Sequence, residues 1–528
     1  MFKLFLTVTF LACIVGCTTK PDTSTYLSLA TQYNVVIQRD TYGVPHVKGQ
    51  SDADAAFGLA YAQSEDHWPL LEDAILLYRG QSAKYKGPDA AVTDFLVKWL
   101  GIWEDIDADY EKQLKPETRA YLQAFADGLS YYAAKHPEQV RYDLLPYRAQ
   151  DLVAGGMLQH LLFWGFDATV QELTSESRVR DISAGPGVLR DGAPIGSNAF
   201  AVAPHFSTDG ATRLAVNSHQ PATGPVAWYE AHIESNEGLN AMGGLLPGGP
   251  TISVGFTENT TWAATVNKPD LIDVYVLEIN PDNPMQYRLD GEWLDLEERD
   301  LDIEVQLLGF IPWTVTEQGL RSVHGPVIAT EHGTYAIRYA GMGEMRQMEQ
   351  WLAMDKASNL KEFRDAMRIH AFSSFNFAYA DREGNIMFVH NSLTPIRKGG
   401  YDWQQYLPGD DSSLIWNEFI AYDDLPQVIN PASGYVHSAN QSPFFVSGTA
   451  DNPNADDYRQ EDGFPTRMTN RAYRGLELFE QLGPISEKEF FDIKHDKVYS
   501  ENSRSYAYVQ AAIALEGMDQ PYIAAQSL

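Results

Sequence analysis

The feature that most limits what this chain can fold into is a change of hydrophobic period across a Gly/Pro-rich stretch. Residues 175–196 read SESRVRDISAGPGVLRDGAPIG, and Gly185, Pro186, Gly187, Gly192, Pro194 and Gly196 crowd its second half. Such a run is a loop or spacer, because each Gly or Pro interrupts a regular backbone. Upstream the apolar residues recur at helical spacing. Leu70, Leu71, Ile75 and Leu76 share one face within 55–85, and Leu122, Phe125, Leu129 and Tyr132 form a stripe within 116–136. A third helix is expected over about 150–166. Only residues 33–50, which alternate around Gly43-Val44-Pro45, break this pattern with a short strand pair.

Downstream of the spacer the period becomes two. Ser197 to Ala203 alternates, Asp209-Gly210 supplies a turn, and Arg213 to Asn217 alternates back, which predicts a β-hairpin. Centring the turn on Asp209-Gly210 sets His219 opposite Phe200, roughly 10 Å along the strand from Ser197. Further strands are expected at 251–256, 261–267, 273–279, 301–308, 325–330, 335–340 and 385–390, with helices at 359–369 and 471–481. The reading is an α+β protein: a mostly helical region at 29–175, a spacer at 176–196, and a sheet-rich region from Ser197 to Leu528.

Composition removes several function classes. There are 39 Lys+Arg against 71 Asp+Glu, a formal charge of −32, so the surface repels phosphate backbones and nucleic acid is not an expected partner. The only cysteines are Cys13 and Cys17. Past residue 17 there is no disulfide, no thiol nucleophile and no thiolate metal ligand. Lys3 followed by the apolar run Leu4–Gly16 reads as an export signal, since the run is shorter than the ~20 residues that span a bilayer. Its end, Ile14-Val15-Gly16-Cys17, resembles the lipobox of bacterial lipoproteins. Residues 1–17 are thus expected to be a signal with Cys17 lipidated, 18–28 a tether, and the protein a periplasmic lipoprotein of the outer membrane, touching the membrane only through that anchor. There is no phosphate-binding Gly loop, no HExxH and no Gly-x-Ser-x-Gly.

The Gly196-Ser197 step is singled out by its place. Cutting before Ser197 would leave a serine at the start of a strand with its hydroxyl and its α-amine on one residue. A free α-amine has a pKa of ~7.7–8.0, so near neutrality part of it is unprotonated and can take the proton of its own hydroxyl. Before cleavage the same hydroxyl can attack the Gly196 carbonyl, where glycine leaves the backbone free to twist.

Gly196-Ser197-Asn198-Ala199 and the strand behind it resemble the processing junction of the penicillin acylase family, N-terminal-nucleophile hydrolases that include acyl-homoserine-lactone acylases. Motifs in the family's order extend the resemblance over nearly the whole chain: Arg39-Asp-Thr-Tyr-Gly-Val-Pro-His46, Arg79-Gly80, Ala126-Asp127-Gly128, Asp151, Asn217-Ser-His219, Leu246-Pro-Gly-Gly-Pro250, Gly255-Phe256, Trp262-Ala-Ala-Thr-Val-Asn267, Gly325-Pro326, Ser438-Ala-Asn-Gln441 and Arg471-Ala-Tyr-Arg474.

The resemblance implies an αββα sandwich with a mostly helical α chain around it, cut at Gly196-Ser197 into α and β chains that stay partners. It implies hydrolysis of a linear amide in a small N-acyl substrate, either an acyl-homoserine lactone, a penicillin-type amide or another N-acyl compound, without an organic cofactor. A catalytically inactive lipoprotein of the same fold that binds a ligand or partner is the alternative. Ser197 would be nucleophile and base, His219 an orienting or substrate-contacting group, Val266 (through its N–H) and Asn440 the oxyanion hole, and Arg471 the group that steadies Asn440. Phe163, Trp164 and Phe166 resemble the border of the acyl pocket. Gln220 stands where relatives commonly have a large apolar residue. Glu172 with Asp270, Ile272 and Asp273 resembles the segment that holds a structural Ca²⁺ in some members. The chain stops at Leu528 in what resembles a helical region that relatives continue.

Overall fold

A computed structural model describes residues 23–163, 165–176 and 196–514. Cys17 and most of the 176–196 spacer therefore lie outside the described residues, as does Trp164.

The helical stripes are buried as the spacing predicts, save Leu70, which is half-buried next to Pro69. Asp52–Tyr78 forms one long helix, opened by a capping box in which Ser51 and Asp54 satisfy each other's backbone N–H groups. It kinks at His67, just before Pro69, whose ring cannot donate into the helical ladder. Leu71, Ile75 and Leu76 point into the core with Leu122, Phe125, Leu129 and Tyr132 of the Pro116–Lys135 helix. The helices Ala91–Leu100 and Ile102–Gln113, joined by Gly101 in the left-handed region (φ +75°), carry no signal strong enough to be read beforehand.

Among the described residues four sheets follow, the smallest being the hairpin Gln286–Leu289 with Glu292–Asp295. A nine-stranded sheet runs through the middle, and its edge is made by the early strand pair Val35–Arg39 and Pro45–Gly49. Pro45–Gly49 lies parallel to Tyr229–Glu234, so the helical region contributes strands to the sheet of the second region. A three-stranded sheet, with Gly196–Val202 between Arg213–His219 and Tyr435–Ser438, packs on one face of it. A six-stranded sheet built largely from 272–339 joins the main core through Val274, Ile337 and Tyr339 and carries the long hairpin Glu297–Leu307 and Ile311–Ser322.

Alternation fixes the layers. Ala199 and Ala201 of the central strand meet Ala263, Ala378 and Phe388 of the large sheet. Phe200 and Val202 face the other way, onto Phe479 and Phe490 of the helices Asn470–Leu482 and Glu487–His495. On the far side of the large sheet lie the Asp52–Tyr78 and Pro116–Lys135 helices. The order is helix, sheet, sheet, helix, the αββα arrangement expected above. One hydrophobic core spans both regions, from Val47 and Leu59 to Tyr379 and Val389.

Candidate active site

Ser197 sits near the start of the central strand of the small sheet, 5 % exposed. Its parity is that of Ala199 and Ala201, so its side chain belongs to the gap between the two sheets. Across from it is Ser218. The Ser197 hydroxyl donates to the Gly196 carbonyl at 2.7 Å, and its N–H donates to Asn440 Oδ1 at 2.8 Å.

The hairpin register corrects the sequence expectation. His219 pairs with Gly196, not with Phe200. The loop is longer than the two-residue turn assumed, because Pro204–Phe206 forms a turn of 3-10 helix before Gly210 reverses the chain in the left-handed region (φ +72°). His219 is therefore closer to the nucleophile along the strand, yet it shares the parity of Asn217 and Ala215 and lies on the helix-facing side with Asn198 and Arg471. It makes no hydrogen bond to Ser197. Burial, and then the Arg471 charge, hold its pKa below the usual histidine value, so it is neutral at pH 7.

Asn440 is brought in by the third strand. Ser438 pairs with Ala199, and two residues later Asn440 takes φ +64°, a left-handed conformation that asparagine tolerates better than most side chains. Its amide is held on both ends. Nδ2 donates to the Val266 carbonyl at 2.6 Å, and Oδ1 accepts from Arg471 Nη2 at 2.7 Å as well as from Ser197. Arg471 also donates through Nη1 to the Ser197 carbonyl at 2.8 Å and to Asn198 Oδ1. The helix that carries it is fastened to the same loop: Thr469, its N-cap, accepts from Ala472 N–H and donates its hydroxyl to the Ala439 carbonyl. Val266 follows the strand Thr260–Thr265, and its N–H makes no hydrogen bond to the described residues. Gly196 is explained by this crowding. A Cβ there would lie 2.6 Å from Asn440 Oδ1 and 3.0 Å from Arg471 Nη2.

Behind Val266 and Asn440 lies a buried polar network that the sequence did not disclose. Thr265 and Ser438 share a hydrogen bond of 2.7 Å between their hydroxyls, and Asn376 Nδ2 donates to Ser438. His390 Nδ1 donates to Asn376 Oδ1 at 2.9 Å. Burial holds His390 neutral, pushing its pKa down to about 3. The residues come from four strands and leave no local pattern.

A cavity of about 80 Å³ contains Ser197 and is lined by Ser218, Gln220, Trp228, Leu246, Met348, Trp351 and Phe375. Gln220 thus lines the same cavity as the nucleophile. Phe166 does not: it is 1 % exposed and packs on Trp99 and Tyr339 in the main core, because the helix holding it turns away from the gap between the sheets. Phe163 ends the helix Ala149–Phe163, whose Gly156, Gln159 and His160 reach the same cavity.

The four residues expected to hold calcium do not fit a divalent cation. Asp270 and Asp273 already enclose one positive group, the guanidinium of Arg397, which is fully buried. Its Nε and Nη2 donate to the two oxygens of Asp273 at 3.0 and 3.1 Å, Nη2 also reaches the Asp270 carbonyl, and Nη1 reaches the Glu461 carbonyl. Trp416 Nε1 donates to Asp273 at 2.7 Å. Ile272 is part of the strand Ile272–Val276, and Glu172 accepts from the Tyr406 hydroxyl. Among the described residues no three His, Cys, Asp or Glu side chains converge as a metal site.

The sequence matches the profile of the penicillin amidase family over residues 34–524. Among curated proteins it is similar to the acyl-homoserine lactone acylase PvdQ of Pseudomonas fluorescens strain Pf0-1, at 26 % identity over 88 % of this chain and 65 % of that protein. It is also similar to the same enzyme of strain Pf-5, at 24 % over 89 % of this chain and 66 % of that protein. Penicillin G acylase of Escherichia coli is 23 % identical over 78 % of this chain and 59 % of its own length. The chain therefore spans a little under two thirds of the length of these relatives. Among solved structures, the thermostable penicillin G acylase of Alcaligenes faecalis superposes with a TM-score of 0.50 at 25 % identity, covering 62 % of this chain and 57 % of that one.

Proposed function

The chain belongs to the penicillin amidase family, and on that premise we propose that it is an acylase: Ser197, freed by cleavage after Gly196, hydrolyses the linear amide of small N-acyl compounds. One observation carries the reading. The Ser197 hydroxyl rests 2.7 Å from the oxygen of the carbonyl it would attack, while Asn440 and Arg471 grip the backbone on either side of that hydroxyl.

Cleavage and catalysis use the same atoms. In the first, Ser197 Oγ bonds to the Gly196 carbonyl carbon, the C–N bond breaks, and the hydroxyl proton passes to the Ser197 nitrogen. Water then splits the resulting ester into the Gly196 carboxylate and a serine with free hydroxyl and amine. In the second, that amine takes the Oγ proton as Oγ attacks the substrate carbonyl. The nearby Arg471 charge disfavours a second cation, so it lowers the amine pKa and favours the basic form at neutral pH. The Val266 N–H and the second N–H of Asn440 Nδ2 receive the oxyanion, the amide nitrogen leaves with the proton, and water releases the acid. One such oxyanion donor is typically worth about 3 kcal/mol in the barrier.

The relatives are named for acyl-homoserine lactones and penicillin G, and N-acyl amides of both kinds are the first substrates to try. Denaturing electrophoresis and intact mass of wild type beside Ser197→Ala test the proposal. Two pieces ending and starting at Gly196 and Ser197, with amide hydrolysis confined to the wild type, are expected. An uncut wild type, or an alanine variant that still turns over amides, overturns it and leaves the ligand-binding alternative. The same spectra test the lipid anchor proposed at Cys17, since acylation adds mass to the α piece.

A further inference from the structure

The cavity around Ser197 has two unlike walls. Trp228, Leu246, Met348, Trp351 and Phe375 make one of them apolar. The other is polar: Ser218 stands across from Ser197, Gln220 lies just past the end of that partner strand, and Gln159, His160, Thr251 and Ser253 also border the cavity. The amide oxygen of Gln220 is buried and has no hydrogen-bond partner among the described residues. Native proteins seldom leave a buried amide oxygen unmatched, because it has given up its water without return. Here the atom borders the space where an acyl group must lie.

Resting on the acylase reading above, we propose that the preferred acyl group carries a hydroxyl and that Gln220 selects for it. The charge of the cavity narrows the chemistry. Among the described residues no Lys, Arg, Asp or Glu lines it, so neither a carboxylate nor an ammonium on the acyl group would find a counter-ion there. A hydroxyl needs none. It also donates and accepts, so it satisfies the Gln220 amide whichever way its oxygen and nitrogen point. The apolar wall takes the hydrocarbon or aromatic body, and the modest volume favours a compact group over a long chain. An acyl group without the hydroxyl would enter but leave the amide unmatched, and one neutral hydrogen bond exchanged against water corresponds to about a tenfold difference.

Matched 4-nitroanilides test this: butyryl against 3-hydroxybutyryl, and phenylacetyl against mandelyl, which place the hydroxyl at two depths. Wild type should favour the hydroxylated member of at least one pair by about tenfold in kcat/KM, and Gln220→Leu should abolish or reverse that preference. Gln220→Met, nearer in shape but without the amide, is measured beside it, and intact mass shows that each variant has folded and been cut. Equal rates within both pairs, or a preference that survives in both variants, overturn the inference while leaving the acylase reading standing. No turnover of any of the four amides overturns both.

Discussion

Arg397 and Arg471 are both guanidinium groups drawn out of water, but the first is enclosed by the carboxylates of Asp270 and Asp273 and the second, among the described residues, bonds only neutral oxygens, those of Ser197, Asn198 and Asn440. Burial works against the charge of each. At Arg397 the attraction of Asp273 and Asp270 outweighs it and the pKa ends above the ordinary value, whereas at Arg471 nothing compensates and the pKa is drawn down. A charge neutralised on the spot has no field left to act on a reaction, so Arg397 is a part of the scaffold. A charge paired only with dipoles still acts on its surroundings, and Arg471 stands where an oxyanion and an amine must each be in the right state.

The largest expected effect is on the enclosed arginine. Arg397→Met strands two buried carboxylates, and removing one member of such a set costs about 3–5 kcal/mol. The urea midpoint should fall accordingly, with the activity per folded molecule unchanged. A midpoint near wild type would mean the carboxylates find other partners. Arg471→Leu should do the reverse: stability nearly kept, because an uncompensated buried charge is removed, and kcat/KM on an N-acyl amide lowered 10²–10³-fold, on the order of 3 kcal/mol. Equal losses in both variants would erase the distinction drawn above.

Acid should strike the Arg471 end. His437, beneath the same helix, is pushed down to about 4 by burial, and His219 is lowered by burial and Arg471. These side chains are neutral when folded, while the unfolded chain takes up protons near pH 6.5. Their stabilisation is whole above pH 6.5 and fades as pH falls toward 4, by on the order of 3 kcal/mol for His437. Denaturant titrations from pH 7 to 4 should show that slope added to those of the other buried histidines, His160, His324 and His390, and His437→Gln should make the total shallower by its own share. In Arg471→Leu the NMR titration midpoint of His219 should rise toward the ordinary histidine value; an unmoved midpoint would show that the charge does not reach the ring. The smallest effect is a null one. Since Arg397 fills the place between Asp270 and Asp273, a calcium chelator should leave the wild-type thermal midpoint where it is.

The layers were legible in the sequence because alternation survives an error of register. The turn was placed so that His219 faced Phe200, and the true partner is Gly196, four residues away; four is even, so every side chain kept its face while distances along the strand changed. The Arg397 clamp was hidden for another reason. Its partners lie 124 and 127 residues away, and ion pairs at such separation impose no period on a sequence. The acidic turn could be seen, and resemblance filled it with calcium where the chain supplies its own cation. Phe166 misled in the opposite way: aromatic density marks burial, and burial next to a cavity differs from burial in the core only by which way a helix turns. The polar network behind Asn440 needs four strands to exist at all.

The strand pair Val35–Arg39 and Pro45–Gly49 lies before the spacer and is stitched into a sheet whose other seven strands come after it. A molecule severed at Gly196 would consequently be two polypeptides that never had to find each other. Dilution would not part them, since their shared core was laid down while they were one covalent string, and heating past full unfolding would turn a first-order return into a search for a lost half.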